Sequence, residues 1–197
     1  MVAEELKNIF LSASIPSPER DTKYYDTADV IAIRDAVIAL ATIVLPRYKL
    51  IWGGHPSITP LIYCVLKKLN IDIQEHVILY QSKFFEKSFP KDNEKINNVI
   101  LTDNLGDKDS SLKFMRQTMF KSHQFNAGVF IGGMEGVEEE YELFKELQPT
   151  ASQLPLASTG AAAKILYDRY SNGENPRLCD DYAYMSLFQD YLIDEIK

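Results

Sequence analysis

The sequence predicts an α/β fold: a Rossmann-like, doubly wound, mainly parallel sheet with helices on both faces. Three observations carry this. Short apolar runs of strand length recur along the chain, at 8–14, 49–52, 75–80, 98–102, 127–131 and 153–157. The segments between several of them place apolar residues at helical spacing. Small-residue loops then follow four of the runs: Ser12/Ser14, Gly53/Gly54, Gly132/Gly133/Gly136 and Ser158/Thr159/Gly160. In such a sheet, ligands bind in the crevice at the carboxyl ends of the strands.

Each element has its own justification. Asn8 to Ser14 is an apolar run ending in small polar residues, hence a first strand and its loop. Pro16 and Pro18 bar regular structure from the next stretch, because proline removes a donor and restricts its predecessor. Ala28, Ile31, Ala32, Ala36, Ile38 and Ala39 predict a long helix from Thr27 to Leu45, stopped by Pro46. Lys49 to Trp52 is a second strand, and Ile58 to Leu69 a helix with Asn70 at its end. Glu75 to Tyr80 and Asn98 to Thr102 read as the third and fourth strands, while 81–98, with Phe84, Phe85 and Phe89, has no clear period. Asp109 or Ser110 is placed to cap a helix from Ser111 to Ser122. Gln153 to Ala157 is a short strand, and Ser158-Thr159-Gly160 opens a helix to about Tyr170. Asp180 to Ile196 predicts one terminal helix.

Composition narrows the function classes. The 197 residues form a single expected domain (1–197), with a core at about 8–165 and a C-terminal helical extension at about 178–197. A net charge of −7 and a pI near 5.0 argue against a nucleic-acid partner. No apolar run approaches the roughly 20 residues that span a bilayer, so no membrane partner is expected. Cys64 and Cys179 form no CxxC, and the acidic start Met1-Val2-Ala3-Glu4-Glu5 lacks a signal-peptide pattern, which together predict a cytoplasmic protein with reduced thiols. His76 and His123 make no ligand spacing, and neither a metal nor a cofactor is expected.

The strongest local signal is Val129 to Glu140: an apolar run, three glycines, then a helix opened by glutamates. A glycine turn between strand and helix suits anions because free N–H groups converge there. Glutamates at the same place oppose a phosphate directly against them, so at least one should face another part of a ligand. Read blandly, Glu138 to Glu140 are a solvated helix start favoured by the dipole.

This stretch resembles the SLOG superfamily, named for the Smf/DprA and LOG proteins. The LOG branch cleaves the N-glycosidic bond of cytokinin nucleoside monophosphates. Its signature joins an Arg-Lys-x-x-Met-like element to a strand and Pro-Gly-Gly-x-Gly-Thr-x-x-Glu. Here Arg116-Gln117-Thr118-Met119 precedes Ile131-Gly132-Gly133-Met134-Glu135-Gly136-Val137-Glu138-Glu139-Glu140. Ile131 stands for the proline, Val137 for the threonine and Gln117 for the lysine, and one residue is added between Gly133 and Gly136. Such variants look more like the divergent SLOG branches of bacterial antiviral and conflict systems, which sense or process nucleotides, including NAD-derived ones.

The resemblance implies Arg116 and Glu140 as a catalytic pair. A ribosyl–base bond breaks through an oxocarbenium-like state, which needs a carboxylate near the sugar; Arg116 would bind phosphate or orient that carboxylate. Nucleotide contacts are expected from Ser12, Ser14, Arg20, Gly53, Gly54, His55, Gly132, Gly133, Glu135, Gly136, Thr159 and Gly160. His55 can touch a base or ribose, and Arg20 can close over a ligand; each can equally be structural. The implied partner is a small-molecule purine or NAD-derived nucleotide, with a homo-oligomer and a separate effector protein as further expectations. The alternatives to hydrolysis are a non-catalytic nucleotide sensor and an oligomeric scaffold.

Overall fold

The computed structural model describes residues 6–69, 73–171 and 173–195. Its strands are β1 (Asn8–Ser14), β2 (Lys49–Trp52), β3 (Val77–Ser82), β4 (Val99–Thr102), β5 (Ala127–Gly132) and β6 (Ser152–Leu156). They make one six-stranded sheet in the order β4-β3-β2-β1-β5-β6, every neighbouring pair parallel. This is the doubly wound α/β architecture the apolar runs predict. The chain steps outward from β1 to β4, then returns to β1's other side for β5 and β6. The register sets Ser12 beside Phe130 and Ser14 beside Gly132. The reversal between β1 and β5 opens a crevice at their C-terminal ends.

Helices α1 (Thr22–Tyr25), α2 (Val30–Val44), α3 (Thr59–Leu69), α4 (Lys108–Ser122), α5 (Glu135–Leu147), α6 (Ala161–Tyr170), α7 (Arg177–Asp180) and α8 (Tyr184–Phe188) cover the two faces. Alternation along the strands divides the core. Ile9, Leu11, Leu50, Trp52, Val77 and Leu79 pack with residues of α2, α3 and α8. Phe10, Ile51, Ile78, Tyr80 and Phe130 pack with residues of α4, α5 and α6. At the centre of the second face Phe10 meets Phe120 edge-on, with ring centroids 4.8 Å apart, and stacks on Phe144 at 5.3 Å. Aromatic pairs of this kind favour one packing solution over many.

Several boundaries differ from the sequence reading. Helix α2 starts at Val30, because the Asp29 carboxylate accepts the Ala32 N–H at 2.9 Å and ends the preceding turn; Ile31 faces solvent rather than the core. The cap of α4 is Asp107, whose side chain accepts from Ser110 N–H, not Asp109 or Ser110 itself. Strand β3 begins at Val77, after a 3-10 turn over Ile73–His76. The unassigned stretch folds as 3-10 turns at Lys83–Ser88 and Lys91–Lys95.

The expected terminal helix starts later than Asp180, at Tyr184. Asp181 takes an extended backbone, its carboxylate accepts the Ala183 N–H at 2.7 Å, and α8 restarts beyond it, passing into a π-helical turn at Gln189–Asp194. Arg177 holds the two pieces together through Asp181 and Asp190. Leu187, Phe188 and Leu192 are fully buried in the α2 face of the core. Asn70 and Ile196, also part of the sequence reading, lie outside the described residues.

Candidate functional site

Three residues remote in sequence meet beside the C-terminal end of β1. Ser12 points from β1 toward α5, where its hydroxyl donates to Glu140 Oε2 at 2.5 Å. Arg116, on α4, donates from Nε to Glu140 Oε1 at 3.1 Å. Its Nη1 bonds Glu139 Oε2 at 2.5 Å and its Nη2 the Gly136 carbonyl at 3.3 Å. All three guanidinium nitrogens are thus engaged, and the residue is 7% exposed. Burial works to lower the Arg116 pKa, but the Glu140 and Glu139 carboxylates outweigh it and the net direction is upward. The guanidinium is a permanent cation facing Glu140. Its donors are divided among two carboxylates and a carbonyl, with no bidentate pair to Glu140.

The glycine turn is internally bonded. Gly132 N–H donates to Thr159 Oγ1 at 2.8 Å, and the Thr159 hydroxyl donates to the Leu156 carbonyl at 2.5 Å, so one threonine ties the ends of β5 and β6. Gly133 N–H donates to the Ser14 carbonyl at 2.8 Å, and the Gly133 carbonyl accepts from Ala162 N–H. Val137, standing where the resembling motif has threonine, is buried against Gly133. The N–H groups of Gly132 and Gly133 are therefore spent within the protein. The first-turn donors of α5, at Glu135 and Gly136, have no intrahelical acceptor by the geometry of any helix, and the N-cap residue Met134 provides no side-chain acceptor.

The helix predicted to open at Ser158 instead begins at Ala161, after a 3-10 turn and Gly160. Gly160 has φ +70°, and a Cβ there would stand 1.8 Å from the Thr27 carbonyl oxygen. Only glycine fits that backbone approach. Thr27 also receives Ala161 N–H on its hydroxyl at 3.0 Å. Ser14, Thr159 and Gly160 thus tie the glycine turn to β1, to β6 and to the link between α1 and α2.

Gly53 follows β2 on the other flank, where a Cβ would lie 3.7 Å from Glu140 Oε1. His55 follows it, partly buried, with Nδ1 2.8 Å from the Ser57 hydroxyl. Burial, and then the Arg20 charge, lower its pKa from the ordinary 6.5. Arg20 reaches Glu135 Oε2 at 3.9 Å, both side chains about half exposed, so it stands at the mouth.

Two clusters escaped the sequence reading. Glu139 closes over Arg116 from outside. Glu138 accepts from Tyr24 at 2.5 Å and from Arg169 at 3.0 Å, with Lys23 at 3.7 Å, and is not the freely solvated residue of the bland reading. Helical spacing could have shown that Glu138 and Glu142 share a face; their partners come from α1 and α6 and have no sequence signal. His76 and His123 are bonded elsewhere, to the Tyr48 carbonyl and the Tyr80 hydroxyl. Among the described residues no group of three His, Cys, Asp or Glu is placed to hold a metal, and no helix is long and apolar enough to cross a membrane.

The SLOG cluster3 family model matches residues 23–192, in keeping with the resemblance carried by the Arg116 and Gly132–Glu140 segments. Among solved structures, the X-ray structure of TM1055, a Northeast Structural Genomics Consortium target, superposes with a TM-score of 0.59 at 13% identity, covering 88% of this chain and 89% of that one. That likeness is one of fold. No curated protein matches the sequence.

Proposed function

The chain belongs to the SLOG cluster3 family, and on that premise we propose that it binds a nucleotide at the β1/β5 crevice and hydrolyses its N-glycosidic bond. Family membership supports a nucleotide-processing domain in general terms. The observation that carries the specific reading is the Ser12–Glu140–Arg116 arrangement, which fixes a carboxylate at the strand ends with one hydrogen bond to each oxygen.

Each oxygen of Glu140 keeps a second lone pair. A carboxylate so held can steady positive charge at C1′ as the base departs, or take a proton from the water that adds there. The C1′–N bond breaks, the water oxygen bonds C1′, and the base leaves with its electron pair and gains a proton. Arg116 acts through Glu140, holding it in one rotamer against Glu139 and the Gly136 carbonyl.

A second reading, a sensor that binds without turnover, draws support from the spent N–H groups of Gly132 and Gly133. One experiment separates the two. The protein is mixed with AMP, NAD, ADP-ribose, cyclic ADP-ribose and a cytokinin nucleoside monophosphate; thermal shift reads binding, and liquid chromatography reads released base. Hydrolysis predicts free base that falls about 100-fold or more in Glu140→Gln. A thermal shift with no base released supports the sensor. Neither signal refutes both.

A further inference from the structure

Helix α2 is buried along one side only. Ala32, Ile33, Ala36 and Val37 face the core, and Ile33 packs against the glycine turn, where a Cβ on Gly132 would lie 2.4 Å from its Cδ1. The side turned away carries Ile31, Arg34, Asp35 and Ile38. Their spacing is i, i+3, i+4 and i+7, so they form one stripe along the helix. Ile31 is 64% exposed, the Arg34 and Asp35 side chains are about half exposed, and Ile38 is half-buried.

The start of α8 lies beside this stripe. Burial chiefly, with smaller contributions from Tyr182, Asp29 and Asp35, raises the pKa of Tyr184, which sets that residue next to the first turns of α2. Tyr182 and Met185, within two residues of Tyr184, are exposed, as are Val30 and Ile31. Single apolar residues scattered over a surface are ordinary. Several on two adjoining helices, around a charged pair, are the pattern of an association surface.

The charged pair says what the surface fits. Arg34 Nε and Nη2 lie 2.9 and 2.8 Å from Asp35 Oδ1, so both contacts fall on one carboxylate oxygen. Among the described residues Oδ2 accepts no hydrogen bond, and neither side chain forms an ion pair elsewhere. Opposite charges at the centre of the stripe make it complementary to itself. A second α2 crossing antiparallel, with the two-fold axis between positions 34 and 35, faces Arg34 with Asp35 and Ile31 with Ile38. Each pairing then occurs twice, as a two-fold contact requires. A parallel crossing sets Arg34 on Arg34 and Asp35 on Asp35, which like-charge repulsion disfavours.

We propose that this face of α2 is a homodimer interface: two copies of the chain pack α2 antiparallel across a two-fold axis, Arg34 of each on Asp35 of the other and Ile31 of each on Ile38 of the other. Packed helices lie about 8–10 Å apart, which brings such side chains into contact. The two arginines and two aspartates form a ring of alternating sign, and Tyr182 and Met185 add apolar area beside it. The core fixes the opposite side of α2, so the stripe meets its partner already ordered. The interface stands or falls independently of the nucleotide reading.

The test is sedimentation velocity of the full chain over a range of concentrations, for wild type, Arg34→Asp, Asp35→Arg and Ile31→Lys. Wild type should sediment as a dimer that dissociates on dilution. Arg34→Asp gathers four acidic groups at the axis and Asp35→Arg four basic ones; each should weaken the dimer about 10-fold or more. Ile31→Lys should weaken it as well, by setting a charge against Ile38 of the second copy. An equimolar mixture of Arg34→Asp and Asp35→Arg should reassociate as a heterodimer, because every acidic group then meets a basic one. That recovery also shows that both variants are folded. A wild type that is monomeric at every concentration overturns the proposal. So does a dimer that all three substitutions leave intact, which puts the contact elsewhere. A mixture that fails to reassociate overturns the antiparallel pairing.

Discussion

Arg116→Met is the sharpest perturbation of the candidate site. Methionine keeps much of the arginine stem's volume but none of its donors. The variant strips Glu140 Oε1 of its side-chain partner and takes one donor from the Gly136 carbonyl, which keeps its helical bond, and it leaves the Glu140 carboxylate with only the Ser12 hydroxyl. Glu140 is 14% exposed, so its charge is poorly solvated, whereas the Glu139 side chain is 63% exposed and its arm of the network contributes little. Breaking a buried pair from one side costs about 3–5 kcal/mol, and the low end applies here because Glu140 retains one hydrogen bond. For a chain of this size, about 3 kcal/mol lowers Tm by roughly 6–12 °C. The assay is urea and thermal unfolding of wild type, Arg116→Met, Glu140→Leu and the double variant. Replacing both partners by apolar groups removes the orphaned charge, so the double variant should be more stable than Arg116→Met. A loss under 1 kcal/mol in Arg116→Met, or a double variant no better than it, refutes the reasoning.

Other expectations follow from the same geometry. Gly160→Ala must move the Thr27 carbonyl and hold alanine at positive φ, and should cost about 2 kcal/mol or more by chemical denaturation. Thr159→Val leaves the buried Gly132 N–H without an acceptor, at about 1–3 kcal/mol, and should speed hydrogen exchange at Gly132. Alkaline pH should destabilise the fold. Burial first, helped at Tyr24 by its bond to Glu138, raises the pKa of Tyr24, Tyr141 and Tyr184 from 10.0 to about 12. The unfolded state then loses these protons first; the stabilisation is whole below pH 10 and is lost as pH rises toward 12. Tyrosinate absorbance should rise together with unfolding in that window, and independent titration of the three phenols in a folded protein contradicts the assignment.

How much of this was legible in the chain differs by element. The strands were, because a strand buried on both faces must be written as a near-continuous apolar run, and 8–14, 49–52 and 127–131 are. Helix ends were less so. Asp107 and Asp109 are the same residue type two positions apart, and only the backbone angles at Asp107 decide which one caps α4. The start of the terminal helix was not legible because Asp180 and Asp181 are the same residue type, and only the extended backbone at Asp181, whose carboxylate accepts the Ala183 N–H, sets the start beyond it.

The sequence by itself determined the fold class, the family resemblance through Arg116 and Gly132 to Glu140, and the small residues that keep the strand edge open. These are local properties, set by period, residue size and backbone freedom. Tertiary structure decided which polar groups are left over. It set Ser12 against a glutamate 128 positions away. It consumed the glycine-turn N–H groups through Thr159 and Ser14, and sealed Arg116 beneath Glu139. A hydrogen bond is worth little until both partners are buried, and which partners are buried together depends on strand order, a non-local property that no window of sequence contains.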